Sequence, residues 1–387
     1  FKRINTVKIL YMVFHFPPIS GGGVVVIVEL ANKLAQLGHD VTILTPDIEW
    51  DGEKYEPEMN KKIIIHKVKT PSKSNLKIAA RRCFKNMKNA GVELGEQNKY
   101  DFIFSIFHPF HMVPRAAVAC ANELKIPIII KVDDAIYQKT SGFKNIQRKI
   151  EKMYNSKTLQ GGSRILVSNE YTKEVIKNYY HVKNEKISII TNGTELNNFY
   201  KIKSNSKQIV FSGAMYNHRG IDILLESVTD VIKKIPKAKF MLLGDGPEMP
   251  RLNELINNLK LTENVILKGW VDRKEIPKYL SESAIGIGPL RLTDVTKHAL
   301  PIKVLEYMAS SLPIIAIEET LPKDVLKNGE NGFFIKDSKE LSQKIIELLQ
   351  NGELCSKMGE KSKKMVVKFD WENVTKSIIK EYEMINS

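Results

Sequence analysis

The side chains with the clearest chemical potential lie within residues 297–309, where the pattern predicts a loop followed by a helix. Pro301 suits the first turn of that helix, where its missing amide hydrogen would have no partner. Glu306 follows five residues later, inside the helix and among apolar neighbours. Free amides at a helix start suit a phosphate, and a carboxylate one turn further in suits a pair of sugar hydroxyls. A capped helix with one exposed glutamate is the alternative interpretation.

Size and composition place this stretch in an ordinary globular protein. The 387 residues predict two domains, and hydrophobic and charged fractions of 43% and 27% allow sizeable cores. The formal charge of +15 favours anionic partners such as nucleic acid, an acidic membrane or phosphorylated substrates. We expect neither a signal peptide nor a membrane-spanning helix. Cys83, Cys120 and Cys355 are far apart, so we expect no disulfide framework or zinc site, which fits a reducing cytoplasm.

A glycine-rich turn links the first predicted strand to the first predicted helix. The apolar run at 8–14 predicts a buried parallel strand, and a helix at 24–37 precedes the next strand at 41–45. The loop between the strand at 8–14 and the helix at 24–37 contains Gly21, Gly22 and Gly23 but lacks the GxGxxG spacing of a dinucleotide site. Two interpretations stay open: a plain tight turn, or a loop that lets a ligand approach the backbone at a helix start.

Three further features of the first half could contact a ligand or a surface. Residues 69–88 interleave basic and apolar side chains, which predicts either an amphipathic segment on an anionic membrane or a solvated helix face. His108 follows a buried strand at its carboxyl end, where open α/β sheets place ligand contacts. Asp133 and Asp134 follow the next strand, and without further metal ligands nearby a capping role or an acceptor contact is favoured.

The alternation of strands and helices starts again near residue 208. A polar bridge at 198–207 precedes it, and we place the domain boundary there. Four predicted strands of this second half end in loops that begin near residues 213, 244, 269 and 289. Because parallel strands end at the same edge of a sheet, these loops share the usual ligand edge of a doubly wound fold. The sequence therefore predicts an α/β protein.

The order of these features resembles glycosyltransferase family 4, the retaining nucleotide-sugar enzymes of the GT-B fold. The resemblance covers almost the whole chain and rests on an ordered set of motifs: the glycines at 21–23, GHDVT at 38–42, ITNG at 190–193, SG at 212–213, RG at 219–220, GDGP at 244–247, GWV at 269–271 and residues 301–309. It implies two Rossmann-like doubly wound domains that face each other across a cleft. Residues 1–200 with 370–387 would bind the acceptor and 205–369 the nucleotide sugar, with the C-terminal helix crossing back to the N-terminal domain.

The resemblance also implies roles for individual residues. Glu306 matches the glutamate that grips the donor ribose, Arg219 stands where a lysine usually neutralises the diphosphate, and His108 matches a histidine near the transferred sugar. The expected catalytic set is therefore His108, Arg219, Lys303 and Glu306, without a metal. The expected donor contacts are Gly22, Gly23, Gly213, Arg219, Gly244, Trp270, Val271, His298, Ala299, Leu300, Pro301, Ile302, Lys303 and Glu306.

Two positions depart from the family pattern. His298 takes the place of the first glutamate of the E-x7-E signature, so a carboxylate that usually contacts the transferred sugar is absent. Ala214 stands where the family often has an arginine, and Lys303 either supplies that charge or is a solvated helix residue. The Pro-x-Lys-x-x-Glu arrangement resembles a sub-pattern of the same family, so we do not infer inactivity.

The function implied is that of a retaining, metal-independent hexosyltransferase in cell-envelope polysaccharide or glycolipid synthesis. It would move a sugar from a UDP- or GDP-sugar to a hydroxyl of a glycan or lipid-linked acceptor, without a further cofactor. Residues 69–88 and the basic charge suggest a cytoplasmic protein, peripheral on the inner membrane face. Nucleic acid is not expected, because no recognition motif is present. A UDP-sugar epimerase of the same fold and a donor-binding protein without transfer activity are the alternatives.

Overall fold

The computed structural model describes residues 6–52, 54–70, 72–133, 143–202, 206–293 and 296–386. For residues 143–148 it describes the backbone alone. Asp134, Pro71 in the basic segment and residues 203–205 of the predicted bridge lie outside these ranges. Backbone contacts divide the chain into two units. Residues Phe1–Asn192 and Trp371–Ser387 form the first unit, and residues Gly193–Asp370 form the second.

The first unit is built on a parallel sheet. Its strands are β1 (Lys8–Met12), β2 (Asp40–Pro46), β3 (Ile64–Val68), β4 (Phe102–Ile106), β5 (Ile128–Val132), β6 (Arg164–Val167) and β7 (Ile187–Ile189). Its helices are α1 (Gly22–Gln36), α2 (Leu76–Arg82), α3 (Phe84–Asn98), α4 (Val113–Leu124), α5 (Phe143–Gln160), α6 (Glu170–Asn178) and the C-terminal α13 (Trp371–Asn386). The sheet order is β3-β2-β1-β4-β5-β6-β7, with every described pairing parallel.

The second unit repeats this arrangement with its own parallel sheet. Its strands are β8 (Gln208–Ser212), β9 (Lys239–Leu243), β10 (Val265–Gly269), β11 (Ile285–Ile287), β12 (Ile314–Ile317) and β13 (Gly332–Ile335), in the order β10-β9-β8-β11-β12-β13. Its helices are α7 (Ile221–Lys234), α8 (Met249–Asn258), α9 (Ile276–Ser281), α10 (Ile302–Ala309), α11 (Ser338–Gln350) and α12 (Gly352–Val366). Because every described pairing is parallel, the strands end at one edge, which confirms the α/β prediction.

The chain enters the second unit earlier than the predicted bridge at 198–207. Phe199 is buried in the apolar cluster that also contains Leu300 and Val304. The N–H group of Ile202 donates a hydrogen bond to the carbonyl of Ser281 at 3.3 Å. Residues 193–202 therefore pack as part of the second unit, because one aromatic side chain in a polar stretch has a place in its core.

Helix α1 starts two residues before the prediction. Gly22 and Gly23 are its first residues rather than part of a loop, and Gly21 precedes them with φ of 144°, a conformation that favours glycine. The interpretation of Gly22 and Gly23 as a loop was wrong, because glycine lacks a helical signal but tolerates a helix start. Within the described ranges, no helix combines the length and apolar character needed to cross a membrane.

Gly359 sets the distance between helix α12 and the end of helix α10. A Cβ atom on Gly359 would lie 2.1 Å from the carbonyl oxygen of Ser311, whereas a Cβ on Gly352, in the same helix, would have no described neighbour within 4 Å. We expect Gly359→Ala to lower the free energy of unfolding by about 1–3 kcal/mol, as overpacking does. Gly352→Ala should leave it unchanged or raise it by up to about 1 kcal/mol.

Chemical denaturation of the two variants measures this difference. Equal stabilities would show that the close approach of α12 to Ser311 carries no energetic weight.

Candidate active site

Helix α10 carries two of the predicted catalytic residues, Lys303 and Glu306, and hydrogen bonds near its C-terminal end hold it to strand β8 and to helix α12. Pro301 is the residue before the helix and not in its first turn as predicted. The N–H group of Ser212, at the end of β8, donates a hydrogen bond to Tyr307 Oη at 2.7 Å. Lys363 Nζ donates to the carbonyl of Ala309 at 2.5 Å and so satisfies one of the last carbonyls of the helix. These bonds define one orientation of α10.

Glu306 lies inside α10 and is only 3% exposed, which excludes the alternative of a solvent-exposed glutamate. Its Oε1 atom accepts a hydrogen bond from Arg273 Nη1 at 2.7 Å, in an ion pair. Sequence reasoning missed Arg273. The available signal was its place three residues after Trp270, in the loop expected beside the nucleobase. A buried carboxylate held by a guanidinium remains a strong hydrogen-bond acceptor.

Lys303 is also buried, with 8% of its surface exposed, so it is not a solvated helix residue. Its Nζ atom lies 3.5 Å from the centroid of the Phe211 ring and has no hydrogen-bond partner among the described residues. Burial lowers the pKa of Lys303 well below its usual range, the charge of Arg219 lowers it further, and Glu306 acts in the opposite direction. An anion at this point would stabilise the ammonium form.

Arg219 closes a short turn (Asn217–Arg219) directly before Gly220 and helix α7. The N–H group of Leu290 donates to the Arg219 carbonyl at 3.2 Å, which fixes the turn against the segment that follows β11. Burial lowers the pKa of His218, and the charges of Arg219 and Lys303 add to this shift. The structure therefore brings Arg219, Lys303 and Glu306 near enough to act on one another electrostatically.

Three glycines lie at the ends of neighbouring strands β8, β9 and β10. A Cβ atom on Gly244 would lie 2.1 Å from the carbonyl oxygen of Gly213, so close approach of the strand ends already requires glycine there. The Gly244 N–H donates to the carbonyl of Gly269 at 2.8 Å. Beyond Gly269, Val271 packs against the apolar cluster around α10, whereas Trp270 is 41% exposed. Trp270 is the residue here whose ring surface is open to a ligand.

The loop before α10 contains His298, the departure from the family signature. Its φ is 51°, in the left-handed region that few residues other than glycine adopt. The His298 N–H donates to the carbonyl of Glu319 at 2.7 Å, and Lys297 forms an ion pair with the Glu319 carboxylate at 3.1 Å. Leu300 is buried in the core, so its packing accounts for a leucine at this position without a ligand contact. Ala299 and His298 are half-buried. Backbone strain at His298 marks this loop as a site held in place by its surroundings.

The first unit holds the other expected residues, Gly22, Gly23 and His108. Gly22 and Gly23 have no described atom within 4 Å of where a Cβ would lie, so space is open beside the start of α1. His108 belongs to a cluster with His111, stacked at a centroid distance of 4.0 Å, and His15, 4.7 Å from His111. Across the described ranges, no group of three His, Cys, Asp or Glu side chains is arranged to hold a metal ion.

Asp133, for which a capping role or an acceptor contact is predicted, takes part in an ion pair. Its carboxylate pairs with the ammonium group of Lys131, which is completely buried in β5. A buried ammonium group needs such a partner. The ion pair therefore explains Asp133, and Asp134 lies outside the described residues.

The basic segment at 69–88 forms helices α2 and α3, separated at Cys83. Its apolar side chains Ala79, Ala80 and Met87 are buried and face the core, whereas Ile78 is 39% exposed. Two of its cations have acidic partners: Lys73 pairs with Asp47 and Lys88 with Glu123, each at 2.5 Å. The exposed cations without a described acidic partner are Lys69, Lys77, Arg81, Arg82 and Lys85.

The histidine cluster makes the stability of the protein depend on pH. Burial lowers the pKa of His111 to about 2 and that of His15 to about 4, with the charges of neighbouring histidines adding to both shifts. Burial also lowers the pKa of His108. The unfolded chain therefore takes up protons below about pH 6.5 that the folded chain does not bind, and stability falls as the pH drops.

We expect the free energy of unfolding to fall by about 1.4 kcal/mol per pH unit for each of His15 and His111 as the pH drops from about 6.5 to 4. His111→Phe should reduce this slope, because the ring still packs on Phe14 and His108 but no longer titrates. His66→Gln, at an exposed position of β3, is the control and should keep it. Denaturation at several pH values measures the slopes, and identical slopes in all three proteins would contradict the assignment.

Known proteins of similar sequence cover nearly the whole chain. The α-monoglucosyldiacylglycerol synthase of Acholeplasma laidlawii is 23% identical over 376 residues, which cover 89% of this chain and 88% of that protein. The N-acetyl-α-D-glucosaminyl L-malate synthase of Bacillus anthracis is 23% identical over 381 residues, covering 96% and 94%. Anabaena HepE, solved in complex with UDP, superimposes with a TM-score of 0.74 at 14% identity over 97% of this chain and 100% of that one.

Two family models divide the chain close to where the structure does. The model for Glycosyltransferase Family 4 matches residues 20–198, and the model for Glycosyl transferases group 1 matches residues 193–365. Similarity to TarM, with a TM-score of 0.75 over 99% of this chain and 100% of that one at 15% identity, confirms the GT-B fold. The chain therefore belongs to the glycosyltransferase family 4-like glycosyltransferases.

Proposed function

We propose that this protein is a retaining hexosyltransferase that uses a nucleoside-diphosphate sugar, without a metal ion. The second unit binds the donor, and the first unit binds a glycan or lipid-linked acceptor. The observation that carries the proposal is the buried ammonium group of Lys303, which lacks a hydrogen-bond partner among the described residues and lies close to Arg219. The Lys303 ammonium group and the neighbouring Arg219 guanidinium suit the diphosphate of a donor.

The donor ribose is assigned to Glu306. Its carboxylate can accept hydrogen bonds from two neighbouring hydroxyls, and Arg273 occupies Oε1. The exposed ring of Trp270 lies two strand ends away from β8 and offers a stacking surface for the base. UDP is the first candidate for the nucleotide, since HepE was solved with UDP and with UDP-glucose.

The chemistry follows from where charge develops. The bond between the sugar anomeric carbon and the diphosphate oxygen breaks, and a bond from the acceptor hydroxyl oxygen to the same carbon forms. Negative charge grows on the leaving diphosphate, where Lys303 and Arg219 stabilise it in a setting of low dielectric. The acceptor attacks on the leaving-group face, and its proton passes to the released diphosphate. No side chain is then needed as a general base.

Lys303→Met should separate stability from function. Methionine fills a similar volume without a buried charge, so we expect the free energy of unfolding to rise by about 1–2 kcal/mol. Binding of UDP, GDP or ADP should fall by at least about tenfold, because the diphosphate loses one cation. Lys364→Met, at an exposed position of α12, should change neither quantity. Denaturation and calorimetric titration measure the two effects.

Unchanged nucleotide binding in Lys303→Met would contradict the diphosphate assignment. Product analysis with a panel of UDP-, GDP- and ADP-sugars tests the reaction itself. Transfer to a lipid or glycan acceptor is expected. Isomerisation of the donor sugar without any acceptor would instead identify an epimerase, and tight binding without either reaction would identify a binding protein.

The acceptor is proposed to be lipid-linked and presented at an anionic, cytoplasmic membrane surface. The support is the exposed basic side of α2 and α3. Two relatives are named for glycolipid and cell-envelope products: the α-monoglucosyldiacylglycerol synthase above and a poly(ribitol-phosphate) α-N-acetylglucosaminyltransferase of Staphylococcus aureus. Because Ala79, Ala80 and Met87 are buried, we propose that the attraction is mainly electrostatic, with the 39% exposed side chain of Ile78 as a small apolar contact.

Charge reversal tests the membrane proposal. Lys77→Glu, Arg81→Glu and Lys85→Glu together should abolish flotation with vesicles of phosphatidylcholine and phosphatidylglycerol, because each cation contributes about 1 kcal/mol near an anionic surface. Reversal of Lys233, Lys234 and Lys237, exposed in the second unit, is the matched control and should leave flotation intact. Equal flotation of the unsubstituted protein with pure phosphatidylcholine vesicles would argue against an electrostatic contact.

A further inference from the structure

Arg273 links the loop between β10 and α9 to helix α10, two parts of the second unit that are distant in sequence. It lies in the loop between β10 and α9, and its Nη1 atom donates to Glu306 Oε1 at 2.7 Å. The side chain of Arg273 is 26% exposed and that of Glu306 is 4% exposed. The guanidinium therefore reaches from the surface to a carboxylate that is almost removed from water.

The loop that carries Arg273 is hydrogen-bonded to the end of β9 at its start and closes in a local turn before α9. At its start, the Gly269 carbonyl accepts a hydrogen bond from the Gly244 N–H at 2.8 Å. At its end, the Asp272 carboxylate accepts from the Lys274 N–H at 2.8 Å, and the Asp272 carbonyl accepts from the Glu275 N–H at 2.9 Å. Trp270, whose ring is exposed, lies in the sequence between these two sets of hydrogen bonds. The loop thus has a defined shape, to which Arg273 adds a contact with helix α10.

We propose that Arg273 is the positioning residue that orients Glu306 for recognition of the nucleotide ribose and couples the carboxylate to the loop of Trp270. This inference rests on the proposed function. Arg273 holds one carboxylate oxygen, so the rotation of the carboxylate is fixed and its remaining acceptor sites point in one direction. A pair of ribose hydroxyls needs such a fixed acceptor, since hydrogen-bond strength falls steeply with misalignment.

The coupling has a consequence for specificity. A base that rests against Trp270 leaves the loop in place and keeps Arg273 on Glu306. A base that displaces the loop also displaces the guanidinium and so weakens the contact of the carboxylate with the ribose. Arg273 thereby makes recognition of the base and recognition of the sugar ring interdependent, although the two are contacted by different elements.

The test compares UDP, GDP and ADP with their 2′-deoxy forms by calorimetric titration. In the unsubstituted protein, loss of the 2′-hydroxyl should weaken binding at least about tenfold, as loss of a hydrogen bond to a charged group does. In Arg273→Met this penalty should fall below about threefold, and binding of the ribonucleotides should weaken. Arg273→Lys should give an intermediate penalty, and Lys274→Met, an exposed charge removed from the same loop, should keep the full penalty.

The 2′-deoxy penalty is a ratio of two affinities measured on one preparation, so incomplete folding of a variant does not change it. A full penalty in Arg273→Met, or tighter ribonucleotide binding than in the unsubstituted protein, would overturn the positioning role while leaving the proposed function intact. Absence of binding by all three nucleotides to the unsubstituted protein would overturn the proposed function, and the inference with it.

Discussion

The burial of helix α10 against the second sheet is the constraint on which the candidate site depends. Lys303 and Glu306 are three residues apart, so they lie on one face of the helix, and both are removed from water by the apolar residues around them. Burial of a charge is unfavourable unless a partner compensates for it. The hydrogen bond of Tyr307 with β8 and the cap by Lys363 help hold the helix where both charges stay buried.

Glu306 and Lys303 meet this cost differently. The glutamate has Arg273 as its ionic partner, whereas the lysine has the face of the Phe211 ring and no hydrogen-bond partner among the described residues. The group without a hydrogen-bond partner is therefore a lysine amine, and an anionic ligand would hold it in its ammonium form. Burial of Lys303 lowers the free energy of unfolding of the second unit. In the proposed function, binding of a diphosphate compensates for this cost, and such a loss of stability is common at functional sites.

Packing separates the expected donor contacts into two groups. Gly244 and Leu300 are explained by the structure alone, since one allows two strand ends to approach and the other fills the core. Trp270 and Lys303 differ from the usual burial of their residue types, because a large aromatic ring is exposed and a lysine is buried. Residues that folding does not explain are the stronger candidates for function.

Much of the fold could be predicted from the sequence, because buried parallel strands are continuous apolar runs and their alternation with helices indicates a parallel sheet. Glu306 could be placed inside α10 for the same reason. Three features could not be predicted from the sequence, since each depends on contacts between segments distant in sequence. They are the entry of the chain into the second unit before Phe199, the burial of Lys303 and the ion pair of Arg273 with Glu306. Gly22 and Gly23 were assigned to a loop because propensity alone does not place a helix start.

The site also joins distant segments through backbone contacts. Glu319 follows β12 and fixes the loop of His298, and Leu290 follows β11 and fixes the turn of Arg219. These contacts bring the ends of several strands to one candidate donor site, which is the arrangement that parallel sheets favour for ligand binding.

A crystal structure of the protein with UDP would show directly whether Lys303 and Glu306 bind the donor. We expect a diphosphate oxygen within hydrogen-bonding distance of Lys303 Nζ, which then leaves the Phe211 ring. We also expect Glu306 to accept hydrogen bonds from the ribose hydroxyls while Arg273 still donates to its Oε1 atom. A diphosphate bound elsewhere, with the Lys303 ammonium still on the ring, would contradict this assignment.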